Sequence, residues 1–297
     1  MIDLHTHSTA SDGSLTPKEL AVYASQKNLK AWALTDHDTV SGLFPDAKKA
    51  AELDLNFIPG VDLNIAFPTG EFHLLGLGLR KYSEDLKSVL TYLEDERKSR
   101  NEQIIFLMKK AGYNFSIEEI ENEFKNSQIG RPHIAKFLVN KKIVKNVQEA
   151  FQRYLARGKP WYIPHAGENL ETAVEAIKSA GGVCVLAHPM SLYLSWNVME
   201  ENIKKIRDTG VAGLEAFHPG ARNSECYRLN ELAQKLGMFV TGGSDYHGKT
   251  VRLDRRLGRT IQDKKIDDKF YFENLLPALG CSFKSKEQPR AGNRFSK

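Results

Sequence analysis

The sequence predicts an α/β protein: a mostly parallel sheet in one barrel-like domain, interrupted by a helical insertion. Three observations predict it. Short apolar runs alternate with amphipathic helical stretches, the pattern of parallel strands joined by helices. Most of the apolar runs finish on a histidine or an aspartate. Between Ser83 and about Pro164 the alternation stops and no convincing strand is found.

The strands are expected at Ile2–His7, Ala31–Thr35, Phe57–Leu63, Phe72–Leu79, Val183–Ala187, Gly213–Phe217 and Met238–Thr241. The first helix opens at Thr16-Pro17-Lys18-Glu19, with Thr16 as N-cap, Pro17 at the first helical position and Glu19 placed to close a capping box. Further helices are expected near Leu43–Leu53, Leu170–Ala180, Val198–Thr209 and Ser224–Leu236. Gly181 and Gly210 follow two of them, where a left-handed C-cap belongs. Pro68-Thr69-Gly70 joins two strands without a helix, so one hairpin interrupts the parallel order. The middle region starts with a long helix through Leu86, Val89, Leu90, Leu93, Ile104, Leu107 and Met108. Helical stretches follow at Ile134–Leu138 and Ala150–Leu155. The expected organisation is therefore a barrel from residues 1–82 and 165–280, an insertion at 83–164 and a basic tail at 284–297.

Composition excludes several classes. With 297 residues, 41% hydrophobic and 27% charged, the chain is neither disordered nor collagenous. No apolar run approaches the roughly 18 residues of a membrane span. The N-terminus Met1–His5 has no basic region leading into an apolar stretch, so no secretory signal is expected. Cys184, Cys226 and Cys281 are odd in number and in no metal-ligand spacing, which fits reduced thiols in a cytoplasm. Cys184, on a strand, is expected in the core. Net charge is +5, but residues 284–297 alone carry five Lys or Arg against Glu287. The body is thus close to neutral, and the tail reads as a frayed polar terminus, with contact to RNA or a phosphate-rich partner as the alternative.

The chemistry lies in the phase of the histidines and aspartates. His5 and His7, two apart on a strand, point to one face. Asp12 follows in a polar loop. His37 ends the second strand, Asp62 the third, and His73 lies on the fourth. His188 ends the fifth, His218 the sixth, and Asp245 with His247 the seventh. Barrel enzymes build their sites at the C-terminal ends of strands. A single such histidine is most simply a satisfied core residue; this many in one phase are a ligand set for borderline divalent ions. Several ions together suit phosphoryl transfer. Competing nucleophile systems are missing: the sequence has no Gly-x-Ser-x-Gly elbow and no phosphate-binding Gly-x-x-x-x-Gly-Lys loop. Gly242-Gly243 is read as a close approach of backbones.

Asp3-Leu4-His5-Thr6-His7-Ser8 with Ser11-Asp12-Gly13, Thr35-Asp36-His37-Asp38, Leu186-Ala187-His188-Pro189 and Gly243-Ser244-Asp245-Tyr246-His247-Gly248 together resemble the PHP (polymerase and histidinol phosphatase) family. Gly130-Arg131-Pro132-His133-Ile134-Ala135 and Phe151-Gln152-Arg153-Tyr154-Leu155 resemble the insertion of the subgroup that holds 3′,5′-nucleoside bisphosphate phosphatases and a 5′-to-3′ exoribonuclease. The resemblance implies a distorted (β/α)7 TIM-like barrel with up to three manganese, iron or zinc ions. It implies one ion on His5, His7, Asp62 and Asp245, a second on Asp62, His73 and His188, and a third on Asp12, His37 and His247. Asp62 stands where similar sequences usually carry Glu, which leaves open whether it bridges two ions.

Arg131 and His133 are expected to grip substrate phosphate, against an alternative in which Arg131 pairs with an acid of the insertion and His133 caps a helix after Pro132. His218, outside the ligand set, is expected to bind substrate or protonate the leaving oxygen. Arg97 and Arg100 interrupt the apolar stripe of the long helix and are expected on a solvated face, with a face turned to the mouth as the alternative. Asp36 and Asp38 are expected to orient backbone or ligands. The expected activity is metal-hydroxide attack on the 3′-phosphate of a 3′,5′-bisphosphate nucleotide. Alternatives are 5′-to-3′ cleavage of short 5′-phosphorylated RNA or another phosphodiester, hydrolysis of histidinol phosphate, a C–N hydrolase and a non-catalytic regulatory domain. No obligate protein partner and no membrane contact are expected.

Overall fold

The computed structural model describes residues 1–43, 53, 55–125 and 127–281. The expected helix at Leu43–Leu53 falls almost wholly outside these residues, as does the basic tail.

Six strands form one curled sheet in chain order: β1 (Ala31–Leu34), β2 (Asn56–Ile65), β3 (Phe72–Leu77), β4 (Val183–Leu186), β5 (Gly213–Phe217) and β6 (Phe239–Gly242). β1 and β2 run parallel, as do β4, β5 and β6, whereas β3 is antiparallel to both its neighbours. The Pro68–Gly70 connection is the cause: without a crossover helix the chain can only turn back. The reversal matters for the site, because it brings the start of β3 to the end of the sheet where the other strands finish. His73 accordingly stands opposite Asn64 near the end of β2.

Residues 2–7, expected as a strand, do not form a regular one. They make single parallel bridges, Asp3 to Trp32 and Thr6 to Tyr246. Backbone hydrogen bonds run from this segment to Ala31, Ala33 and Thr35 on one side, and to Gly242, Asp245 and Tyr246 on the other. It therefore fills the space between β1 and the chain beyond β6.

Helices cover the outside of the sheet. α1 (Pro17–Gln26) starts with the expected capping box, Thr16 accepting from Glu19 N–H while the Glu19 carboxylate accepts from Thr16 N–H. α2 is the long helix (Glu84–Lys110), followed by α3 (Ile117–Glu123), α4 (Arg131–Asn140) and α5 (Val147–Ala150), the last continuing as a π-turn over Phe151–Leu155. α6 (Leu170–Ser179), α7 (Trp196–Asp208) and α8 (Asn223–Lys235) alternate with the later strands. Gly181 and Gly210 take the positive φ angles, 82° and 110°, that end α6 and α7. α6 lays Ile177 directly over Gly76, where a Cβ would come within 2.9 Å of it.

Two apolar clusters result. The larger packs the sheet interior (Leu34, Leu63, Leu75, Val185, Leu214) together with α1, the first half of α2 and α6–α8, and it contains Cys184. The smaller gathers Ile104, Met108, Ile134, Phe137, Leu138, Leu155 and Trp161 from the second half of α2 through α5. Among the described residues no helix is long and apolar enough to cross a membrane.

Candidate metal centre

The strand ends converge as the histidine phase requires. Imidazoles and carboxylates from residues 5–12, 37, 62, 73, 188, 218 and 245–247 meet at one end of the sheet, where Asp12, His37, His73 and His188 are half-buried and the others buried. β1 continues past Leu34 alongside β2, reaching a bridge between His37 and Asp62. Three residues there adopt left-handed backbone without being glycine: Asp38 (φ 52°), His188 (φ 26°) and Asp245 (φ 53°). Such conformations persist where surrounding contacts over-determine them, and they cluster at functional sites.

Ligand-capable atoms fall into three overlapping groups, each with its atoms within 4.8 Å of one another: His7, Asp12, His37 and His247; His5, His7 and Asp245; and His37, Asp62 and His73. Asp62 is central. Its Oδ2 lies 2.8 Å from His73 Nδ1, 2.9 Å from His37 Nδ1 and 3.6 Å from His5 Nε2, while Oδ1 has no partner. His7 Nε2 is 3.2 Å from Asp245 Oδ1, and His247 Nε2 is 3.2 Å from Asp12 Oδ1. The grouping differs from the expected one, and Asp62 does not join His5, His7 and Asp245. His7 stands with Asp12, His37 and His247 as well as with His5, and His37 shares Asp62 with His73. His188 is not in these groups. Its Nδ1 is engaged with Ser191 Oγ at 2.9 Å, and its ring lies 5.0 Å from that of His73.

The donor set fits divalent ions. His5 Nε2, both ring nitrogens of His7, His37 Nδ1 and Asp62 Oδ1 are buried with no hydrogen-bond partner, and orphaned buried lone pairs are costly unless a ligand takes them. Electrostatics agree. Burial disfavours charge on His73, yet Asp62, Glu71 and Asp245 hold its pKa up at about 9. Burial likewise opposes charge on His5, and Glu215, Asp62 and Asp245 more than offset it. His7 is pushed the other way, by burial and then by His247, His37 and His5. The pocket thus pulls positive charge toward its carboxylates, which a metal cation satisfies while releasing protons.

Glu215 escaped the sequence reading. It is fully buried in β5, accepts from His5 Nδ1 at 3.1 Å and from His188 N–H at 2.9 Å, and its pKa is held down to about 2: burial raises it, but His5 and His218 lower it further. It fixes the proton of His5 on Nδ1 and so aims the Nε2 lone pair at Asp62 and Asp245. The signal was a lone acid in the middle of the apolar run Gly213–Phe217. Gly243 permits the arrangement, since a Cβ there would lie 2.3 Å from His5 Cβ and 2.5 Å from a Glu215 oxygen.

Asp36 accepts from Ser8 N–H, Ser8 Oγ and Ser11 Oγ, and Asp38 from Asn64 and Arg97, so both organise the loops around His37. His218 Nδ1 accepts from Gly220 N–H, which puts the ring proton on Nε2, 3.6 Å from Asp245 Oδ2. His133 Nδ1 accepts from Gly130 N–H at the start of α4, and its ring meets Phe124 edge-on. Arg131 pairs with Glu71 of the β2–β3 hairpin at 2.9 Å and lies over the Tyr162 ring.

One expectation is overturned. Arg97 and Arg100 are 9% and 5% exposed, not on a solvated face. The buried stripe of α2 runs unbroken through Leu93, Arg97, Arg100, Asn101 and Ile104, and the two arginines lie inside it. The region after α3 docks on the same side, Ser127 Oγ donating to Thr9 O and Gln128 N–H to Ala10 O beside Asp12.

Comparison with known proteins agrees with this geometry. Residues 3–210 match the PHP domain model. The chain is 32% identical to a 3′,5′-nucleoside bisphosphate phosphatase of Chromobacterium violaceum, over 83% of this chain and 87% of that one. It is 30% identical to the 5′-3′ exoribonuclease Rnm of Escherichia coli, over 86% and 88%. Among solved structures, a Bifidobacterium adolescentis protein regarded as a metal-dependent phosphoesterase superposes with a TM-score of 0.82 at 26% identity, covering 96% of this chain and 97% of that one. A C. violaceum amidohydrolase structure with bound sulfate superposes with a TM-score of 0.79 at 30% identity, over 89% and 93%.

Proposed function

Because the chain belongs to the PHP domain family and is a metal-dependent phosphoester hydrolase, we propose that it removes the 3′-phosphate from 3′,5′-bisphosphate nucleotides. The observation that carries this reading is the set of three overlapping His/Asp groups with orphaned buried ligand atoms, set beside the guanidinium of Arg131. The groups are assigned two or three manganese, iron or zinc ions. His5, His7, Asp62 and Asp245 would hold one, Asp62, His73 and His188 a second, and Asp12, His37 and His247 a third. Bound there, divalent ions supply Lewis acidity for phosphoryl oxygens and lower the pKa of water.

The protein groups do the rest. Glu215 and the Gly243 approach hold His5 in one tautomer and orientation. Arg131, steadied by Glu71 and Tyr162, and His133 bind phosphate oxygens at the mouth. His218 presents its Nε2–H to the leaving ribose oxygen. The assigned architecture is a distorted (β/α)7 barrel in which residues 2–7 are the seventh stave. Residues 83–164 form a subdomain that overhangs the mouth, as its separate apolar cluster and its contacts to Thr9, Ala10 and Asp38 support.

Exoribonuclease action on short 5′-phosphorylated RNA is the second reading, supported by the similarity to Rnm over most of the chain. The test adds manganese to metal-stripped protein and follows phosphate or nucleotide release. The substrates are 3′,5′-bisphosphoadenosine, 5′-AMP, a 5′-phosphorylated RNA trimer and histidinol phosphate, with His37→Ala as control. Turnover of the bisphosphate that the variant lacks supports the reading, and turnover of the trimer alone selects the second. Silence on all four with metal bound sinks both.

A further inference from the structure

We propose that Arg255 is a further catalytic residue: its Nε–H and the Nε2–H of His218 together bind the oxygen that leaves the phosphate, in a gap beside the outer oxygen of Asp245. The proposal rests on the phosphoester-hydrolase reading and on the role given above to His218, and it adds a residue that neither uses.

The two oxygens of Asp245 have different neighbours. Oδ1 lies among imidazoles of the metal centre, 3.2 Å from His7 Nε2, 3.4 Å from His247 Nδ1 and 3.6 Å from His5 Nε2. Oδ2 faces His218 Nε2 at 3.6 Å, Arg252 Nη1 at 3.6 Å and Arg255 Nε at 3.9 Å. None of these three comes within hydrogen-bond reach of it. His218 and Arg255 are 4% and 8% exposed, and both His218 Nε2 and Arg255 Nε are buried without a partner. Two unmet buried donors cost stability unless something else accepts from them. Both side chains are nonetheless fixed. Gly220 N–H donates to His218 Nδ1, and a Cβ at Gly220 would lie 2.8 Å from that atom and 3.3 Å from Arg255 Nη2, so glycine lets the ring and the guanidinium close around this turn. Asp254 pairs with Arg255 Nη1 at 3.4 Å and leaves Nε free.

The missing acceptor is a single oxygen that carries no charge at rest. A non-bridging phosphoryl oxygen is anionic throughout, and Asp245 Oδ2 would repel it. The bridging ester oxygen is neutral before the reaction and a hydroxyl after it. In hydrolysis a P–O bond forms to the oxygen of water. The P–O bond to the ribose oxygen breaks, its electron pair passes to that oxygen, and a proton of the water ends there. While the leaving oxygen carries charge it accepts from His218 Nε2–H and Arg255 Nε–H; once protonated it donates to Asp245 Oδ2. With its Nδ1 accepting, the His218 ring is neutral, so the guanidinium supplies the positive charge that the imidazole lacks. Arg252 is the internal contrast: it is half-buried, pairs with Asp254 at 3.5 Å and has no orphaned donor.

The test compares 3′,5′-bisphosphoadenosine with its analogue in which sulfur replaces the bridging 3′-oxygen, on the metal-reconstituted full chain. A thiolate is stable near neutral pH and accepts hydrogen bonds weakly, so it needs little help in leaving. Arg255→Met should lower kcat on the oxygen substrate by about 100-fold, the cost of one oxyanion donor, and on the sulfur analogue by about 3-fold or less. Its metal content, by elemental analysis, should equal that of the wild type. Arg255→Lys, which keeps the buried charge, should fold as the wild type does and lose rate on the oxygen substrate alone; it decides by the same ratio if Arg255→Met does not fold. Arg252→Met should leave the ratio of the two substrates unchanged. Equal losses on both substrates, or loss of metal from the Arg255 variants, overturns the proposal and makes Arg255 a support for Asp245. An equal shift of the ratio in Arg252→Met overturns it too, because the effect would then be charge at a distance. Failure of the wild type to turn over any phosphoester sinks the reading of the reaction and this proposal with it. Turnover with an unchanged ratio in both Arg255 variants sinks the proposal alone.

Discussion

Two clusters of ionisable side chains lie side by side at one end of the sheet, and they are incomplete in opposite senses. The strand-end cluster holds imidazoles and carboxylates whose lone pairs are left open: His5 Nε2, His7, Asp62 Oδ1. The cluster under α2 holds guanidinium and imidazole N–H donors that are left open: Arg97 Nε, Arg100 Nε, His165 Nε2. The difference teaches that the strand ends gather lone pairs suited to cations, while the long helix turns cationic donors inward. Each cluster costs stability in the free protein, because burial leaves its polar atoms without partners.

The comparison breaks most sharply at His37, which belongs to two of the three ligand groups. His37→Ala should lower phosphoesterase activity by more than the roughly 100-fold that loss of a ligand-orienting residue costs. Elemental analysis of the purified variant should show a lower metal content. Wild-type metal content and rate would remove His37 from the centre.

Arg97 and Arg100 sharpen the contrast within the second cluster. Arg97→Met strips the buried Asp38 of its cation, and breaking such a pair costs about 3–5 kcal/mol. Urea denaturation should therefore show Arg97→Met to be far less stable than Arg100→Met; equal midpoints would mean that the Arg97–Asp38 pair carries no weight. Glu215→Gln keeps the shape beside His5 and removes the charge. It should cost about 10- to 100-fold in metal affinity or activity, read by metal titration.

The smallest effect is a pH slope. Burial, with Arg97 and Arg100 adding to it, depresses the His165 pKa to about 3 against the pull of Asp38. The folded protein therefore binds fewer protons here than the unfolded chain does between pH 6.5 and about 3. This contribution to stability is intact above pH 6.5 and is lost as the pH falls through that window. His165→Gln should flatten the decline of the thermal midpoint between pH 6.5 and 4 by a few degrees, equivalent to about 1–2 kcal/mol. An identical slope would show that His165 stays charged when folded.

Much of this was legible beforehand because the rules involved are local. The capping box at Thr16, the glycine C-caps at Gly181 and Gly210 and the hairpin at Pro68–Gly70 each depend on a few neighbouring residues. The strand-end histidines were legible because parallel strands must all finish at one end of a sheet. What was misread depended on contacts distant in the chain. Residues 2–7 alternate like a strand but pair with the chain beyond β6, some 240 residues away, and make only single bridges there. Glu215 carries no motif; its meaning is its distance to His5. Arg97 and Arg100 repeat at helical spacing, but spacing cannot tell which face another element will cover.

By itself, then, the sequence determined the alternation of strands and helices, the one reversal in the sheet and the imidazoles and carboxylates that end its strands. These follow from periodicity, turn chemistry and chain direction, which act over a few residues. The tertiary structure alone decided that His37 is shared between two ligand groups, that Glu215 fixes the tautomer of His5, and that α2 turns two arginines inward. Those outcomes rest on desolvation and charge pairing between segments up to 210 residues apart, and such energies exist only once the chain has closed around them.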